Sequence, residues 1–109
     1  MAQKSDLLQG TLDMLVLQVL SRGDLHGWGI TQKLELLSQR ALQVDEGSLY
    51  PALYRMERKG WIEAEWKMTE NSRRAKYYSL TRAGRRQLEA EQRDWDRMTA
   101  IIAQVMQSA

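Results

Sequence analysis

The chain has 109 residues with no break in composition, which bounds it to one small domain with at most one appended element. It holds no cysteine and a single histidine, so disulfides, thiol catalysis and the usual zinc clusters are excluded by arithmetic, and no cofactor or metal is expected. A formal charge of +2 is compatible with an anionic partner but too small to argue for one, so the distribution of charge has to carry the case.

Nothing here approaches the roughly 20 consecutive apolar residues that cross a bilayer, and Met-Ala-Gln-Lys-Ser-Asp at the N-terminus lacks a signal-peptide pattern. The expectation is a cytoplasmic protein with no membrane partner.

A first helix is expected over Leu7 to Leu20, with Leu8, Leu12, Leu15, Val16 and Val19 on one apolar stripe and Leu7, Met14 and Leu17 on a second. A helix apolar on two faces needs more cover than a small domain supplies, so the second stripe is expected to meet another subunit. Arg22, Gly23 and Asp24 end it. Next, Leu25-His26-Gly27-Trp28-Gly29-Ile30 opens a second helix that carries Ile30, Leu34 and Leu37 inward. A lone histidine has no partner ligands, so His26 reads as a local hydrogen-bonding residue at the helix entrance in preference to a metal ligand or pH sensor. Trp28 reads as a packing residue.

After a short loop from Gln39 to Val44, the stretch Asp45 to Gly60 reads as a DNA recognition helix, completing a helix-turn-helix. Proline is tolerated in a first turn, so Pro51 places the start near Gly47 or Ser48, with Asp45, Glu46 and Ser48 available to cap the free N–H groups. Gly60 supplies the stop. Leu49, Leu53 and Met56 recur at spacings of four and three and face a core. Ser48, Tyr50, Pro51, Tyr54, Arg55 and Arg58 remain outward, a set of hydroxyls, rings and guanidinium groups able to donate to phosphates and base edges. The alternative for this face is a solvated surface with two tyrosines by chance.

Beyond Gly60 the period changes. Trp61 to Lys67 alternates as a half-buried strand does, with Ile62, Ala64 and Trp66 on one side and Glu63, Glu65 and Lys67 on the other, and Thr69-Glu70-Asn71-Ser72 is turn chemistry before a second strand at Lys76 to Leu80. A hairpin after a helix-turn-helix is a wing. Between Glu70 and Glu89 stand six basic residues, Arg73, Arg74, Lys76, Arg82, Arg85 and Arg86, and no acidic one. Three of them occupy the wing, where they can follow a phosphate backbone or enter a minor groove; the alternative is a solubilising surface.

Thr81 suits the N-cap of a last helix from about Arg82 to Met106, in which Leu88, Trp95, Met98, Ile102 and Val105 follow a heptad frame interrupted by Glu91. Such a helix is longer than the domain can cover and is expected to pair with a second subunit.

Three ordered stretches resemble the PadR transcriptional regulators: Leu-His-Gly-Trp-Gly-Ile at 25–30, Glu-Gly-Ser-Leu-Tyr-Pro-Ala-Leu-Tyr-Arg-Met-Glu at 46–57, and Arg-Arg-Ala-Lys-Tyr-Tyr-Ser-Leu-Thr-Arg-Ala-Gly at 73–84. Trp28 stands where that family usually has tyrosine, and a single helix after the wing resembles its short branch. The resemblance implies a homodimeric winged-helix repressor on a palindromic operator, released by a small, often planar aromatic molecule. It places Ser48, Tyr50, Tyr54 and Arg55 on the recognition helix and Arg73, Arg74 and Lys76 on the wing. In multidrug-sensing members a tryptophan on the last helix lines a cavity at the dimer centre, and Trp95 falls at the similar place, with Leu7 and Met14 as its neighbours; the alternative for Trp95 is a packing residue at a heptad core position.

The combined expectation is a mainly α protein with a β-hairpin wing: a winged helix-turn-helix DNA-binding domain over residues 1–80 and a dimerisation helix over 81–109. DNA contacts are assigned to Ser48, Tyr50, Tyr54, Arg55, Arg58, Arg73, Arg74 and Lys76. The dimer interface and possible ligand site fall to Leu7, Met14, Trp95, Met98 and Ile102. Double-stranded DNA and a second copy are the expected partners. The competing reading is a winged-helix protein-interaction module without specific DNA binding. An enzyme is a third reading with little support, since the chain has one histidine, no cysteine and no carboxylate pair framed by a nucleophile or metal motif.

Overall fold

The computed structural model describes residues 11–108, so the expectations for Leu7 and Leu8 lie outside the described residues. Among the described residues four helices and three strands follow in the order α1 (Leu12–Leu20), β1 (Leu25–His26), α2 (Gly27–Leu37), α3 (Glu46–Arg58), β2 (Ile62–Met68), β3 (Arg74–Leu80) and α4 (Arg82–Gln107). The fold is mainly helical, with a hairpin wing after the helix-turn-helix pair α2–α3 and a long last helix, as the sequence predicts.

The sheet has one strand more than the predicted hairpin. Its order is β1-β3-β2, all antiparallel, with Ile62 opposite Leu80, Met68 opposite Arg74, and Leu25 and His26 paired with Tyr78 and Tyr77. At two residues β1 is too short to show alternation. By this pairing it ties the entrance of α2 to the base of the wing.

The core is formed where α1, α2 and α3 meet the inner end of the wing: Val16, Leu17, Ile30, Leu49, Leu53, Met56 and Ile62 are fully buried. Leu17 therefore departs from expectation. The domain covers that part of the second stripe itself, and no other subunit is needed to enclose it. Leu37 departs in the opposite direction, exposed at 65%. It is the last residue of α2, and with Gln39 and Arg40 following at φ 55° and 67° the chain turns away before that final turn reaches the core.

Local chemistry sets the ends of α3. Asp45 is the N-cap, its Oδ1 accepting from the Ser48 N–H at 2.8 Å. The helix starts at Glu46, slightly earlier than Pro51 led us to expect, which puts the proline in the second turn. Its missing N–H leaves the Gly47 carbonyl without a helical partner, and Gly47 is exposed, where water can take that role. At the other end Gly60 adopts φ 77°, its N–H donates to the Glu57 carbonyl, and the Trp61 N–H donates to the Met56 carbonyl, each at 3.0 Å. That bond pair is a Schellman motif, which needs a residue at ease in the left-handed region.

Thr81 caps α4 as predicted, its Oγ1 accepting from the Gly84 N–H at 3.0 Å. Leu88 packs against the core. Beyond it the helix stands clear: Trp95, Met98, Ile102 and Val105 are between 47% and 64% exposed. At 1.5 Å per residue, α4 is about 39 Å long, and the apolar face of its outer half stays largely uncovered by the described residues. No helix among the described residues is long and apolar enough to cross a membrane.

Candidate nucleic-acid interface

The outward face of α3 carries the residues assigned to it. With Leu49, Ala52, Leu53 and Met56 buried on one side, Tyr50, Pro51, Tyr54, Arg55 and Arg58 are exposed on the other, and Ser48 is half-buried at the helix entrance. Two of these are organised before any ligand arrives. The Arg58 guanidinium lies 5.7 Å from the centre of the Tyr54 ring, a cation–π distance. Arg55 donates from Nη2 to Asp13 Oδ1 at 2.5 Å, an ion pair joining α3 to α1. That hydrogen bond raises the Arg55 pKa above its ordinary value, so the group stays charged.

The wing supplies the second group of donors. Its turn is closed by the Thr69 N–H donating to the Arg73 carbonyl at 2.7 Å and the Ser72 N–H to the Thr69 carbonyl at 3.0 Å, with Ser72 at φ 61°. Arg73 and Arg74 have no carboxylate partner among the described residues, and Arg74 lies 5.2 Å from the Trp66 ring centre. Lys76 is different, its Nζ 3.5 Å from Glu57 Oε1 on α3. That pair bridges the wing and α3 and offsets part of the lysine's charge with a carboxylate.

Between these two surfaces runs an open cleft of about 690 Å³, lined by His26, Gly27 and Trp28 from the entrance of α2, Tyr50 from α3, and Trp66, Arg73, Arg74 and Lys76 from the wing. The rings of His26, Trp28 and Trp66 in this lining lay outside the sequence-based site assignments. His26 was expected to bond locally, and its Nδ1 accepts from the Gly29 N–H at 2.9 Å. The cap uses Nδ1 and leaves the second ring nitrogen, Nε2, free of it. Trp28, expected to pack, is 65% exposed. Trp66 shares a strand face with Ile62, but the core ends at Ala64, so alternation alone misplaced it. Beneath them the Tyr50 ring lies so close over Gly27 that a side chain there would strike it.

A second, smaller cleft of about 280 Å³ lies between α1 and α4, lined by Thr11, Met14, Glu91, Asp94, Trp95 and Met98. It brings Met14, Trp95 and Met98 together on one surface. Ile102 lies further along α4, outside this cleft, and Leu7 lies outside the described residues. Among the described residues no group of histidine, aspartate and glutamate is placed to hold a metal ion.

A family model described as the transcriptional regulator PadR-like family matches residues 16–90, more than half of the chain. The chain belongs to that family. The PadR-like match runs from α1 through the wing into the first part of α4. Among solved structures, the chain is similar to a transcriptional regulator from Clostridium thermocellum, with 26% identity, 92% of this chain and 97% of that one covered, and a TM-score of 0.84. It is likewise similar to a PadR-like transcriptional regulator from Bacillus cereus, with 29% identity, 94% and 98% covered, and a TM-score of 0.81. A transcriptional regulator of Mycobacterium tuberculosis is 32% identical over 78 residues, which is 72% of this chain and 69% of that protein. These similarities agree with a regulator in place of an enzyme.

Proposed function

We propose that this PadR-like regulator is a cytoplasmic, homodimeric, sequence-specific DNA-binding repressor. Residues 1–80 read the duplex and residues 81–109 pair the subunits. The supporting observation is one continuous surface, in which the outward face of α3 meets wing arginines that have no carboxylate partner. In this reading α3 enters the major groove with Tyr50, Tyr54, Arg55 and Arg58, and Ser48 holds a phosphate near its N-terminus. Arg73, Arg74 and Lys76 take the flanking strand. A helix in the major groove and a wing in the next minor groove straddle one sugar–phosphate strand, which the cleft beside Trp28 and Tyr50 would seat.

The uncovered apolar face of α4 supports the dimer, with Trp95, Met98 and Ile102 at its seam. Two recognition helices then meet successive major grooves about 34 to 36 Å apart on a palindromic operator. For release, a small planar ligand would bind against Trp95 and Met14 at the dimer centre and favour a pairing with another half-site separation. Glu91 and Asp94 in that cleft suit a ligand bearing positive charge. Trp95→Ala should abolish the tryptophan quenching that such a ligand causes in the parent; equal affinity in both proteins removes Trp95 from the site.

The DNA assignment is tested with Arg73→Ala/Arg74→Ala. Losing two phosphate contacts should reduce the slope of log affinity against log salt by about 1.8. An unchanged slope and affinity would withdraw the wing from the interface.

A further inference from the structure

Arg55 and Asp13 are 42 residues apart in sequence and form the one ion pair between α1 and α3 among the described residues. Their surroundings are unequal. The Asp13 side chain is 22% exposed, whereas Arg55 is 48% exposed and lies on the outward face of the recognition helix. The carboxylate is therefore the anchored partner and the guanidinium the projecting one. Arg58, one turn on, has no carboxylate partner among the described residues and rests on a tyrosine ring.

A guanidinium offers five N–H donors in a rigid plane, and reading a guanine uses two of them. With Nη2 committed to Asp13, the plane of Arg55 is set from the protein side while other donors remain. A guanine edge can use that fixed fork. A phosphate gains less, because the nearby carboxylate cancels most of the charge that would attract it and repels it directly.

We propose that Asp13 is a positioning residue for DNA specificity, which holds Arg55 as a base reader and suppresses its use as a general phosphate contact. The inference rests on the DNA-binding reading above. Discrimination is a difference between two affinities, and Asp13 increases it by weakening the unwanted one. Asp13 itself touches no DNA in this scheme and acts through Arg55.

The test uses the full chain and two duplexes, one enriched by the parent protein from a random pool and one scrambled, each titrated across a salt series. Asp13→Asn keeps the size and an acceptor but removes the charge. It should tighten binding to the scrambled duplex about 5- to 10-fold, steepen the salt slope by about 0.9, the value for one added phosphate contact, and lower discrimination several-fold. Asp13→Glu should restore most of the discrimination. In an Arg55→Gln background, Asp13→Asn should change none of these quantities, a readout that a merely structural role would not give. Thermal melting identifies any variant that loses its fold, in which case Arg55→Lys, which keeps the charge but loses the planar fork, should by itself lower discrimination without weakening scrambled binding. The inference is overturned if Asp13→Asn leaves scrambled affinity and slope unchanged, or shifts them equally with and without Arg55. If the parent chain binds neither duplex, the DNA-binding reading falls, and this inference with it.

Discussion

Gly84 is where α4 leans on the wing, and replacing it with alanine should be costly. Gly84 is buried in the first turn of the helix, its N–H capped by Thr81 Oγ1 at 3.0 Å. Thr81 in turn donates from Oγ1 to the Gly60 and Trp61 carbonyls at 2.6 and 2.9 Å. A Cβ on Gly84 would collide with the Trp61 carbonyl oxygen, and would sit 2.7 Å from Leu80 Cδ1 and 3.0 Å from the Trp61 carbonyl carbon. Because two of those atoms are backbone, relief requires α4 to move away from the wing. Overpacking of this kind costs about 2–3 kcal/mol, and straining the cap adds about 1 kcal/mol. Alanine's higher helix propensity returns about 1 kcal/mol. The net of about 2–3 kcal/mol corresponds to a fall in Tm of roughly 10 °C or more. Gly47→Ala is the control, since its Cβ would meet only Asp45 Oδ1 at an ordinary 3.5 Å; its Tm should hold or rise slightly. Circular dichroism melts of both variants decide the matter. A Gly84→Ala protein that melts at or above the parent temperature would show that helix propensity outweighs the contact, and would refute the close seating of α4.

Two further expectations separate core from interface. Ile62→Ala empties a fully buried site and should cost about 2–5 kcal/mol, read as a lower denaturation midpoint. Ile102→Ala, on the uncovered face of α4, should leave the folded domain's spectrum intact and instead shift sedimentation towards monomer at a given concentration; an unchanged dimer would place the seam elsewhere. Tyr78 is nearly buried, and burial, with Glu57 and Tyr50 nearby, raises its pKa above the ordinary 10.0. Below that ordinary value its contribution is constant. As pH rises past it the unfolded chain ionises first, so stability falls, and Tyr78→Phe should show a smaller alkaline loss in melts across that range.

What could be read from the residues alone was mostly what residues settle with near neighbours. Gly60, Thr81 and His26 do their work within a few positions of themselves, and each does what its type and place predicted. The inward stripe of α3 was legible for the same reason, since periodicity needs no knowledge of the partner. Leu17, Leu37 and Trp66 were misplaced because their burial depends on where distant elements end: α1 is covered by its own domain, α2 outruns the core, and the wing leaves the core after Ala64. Trp28 was misjudged because exposed tryptophan runs against the tendency of large rings to be covered. The strand β1 carried no periodic signal, and the Asp13–Arg55 pair joins positions 42 apart, a distance at which a single sequence shows no pairing.

Sequence-specific reading of DNA by this PadR-like chain is put to the test by fluorescence anisotropy on the duplex upstream of its own gene. A scrambled duplex of equal length is the comparison, with both titrated across a salt series. A preference of about 10³ or more for the native duplex, the range of specific binders, is expected. Absence of binding to either duplex at low salt would contradict it and favour a winged-helix module that engages protein instead.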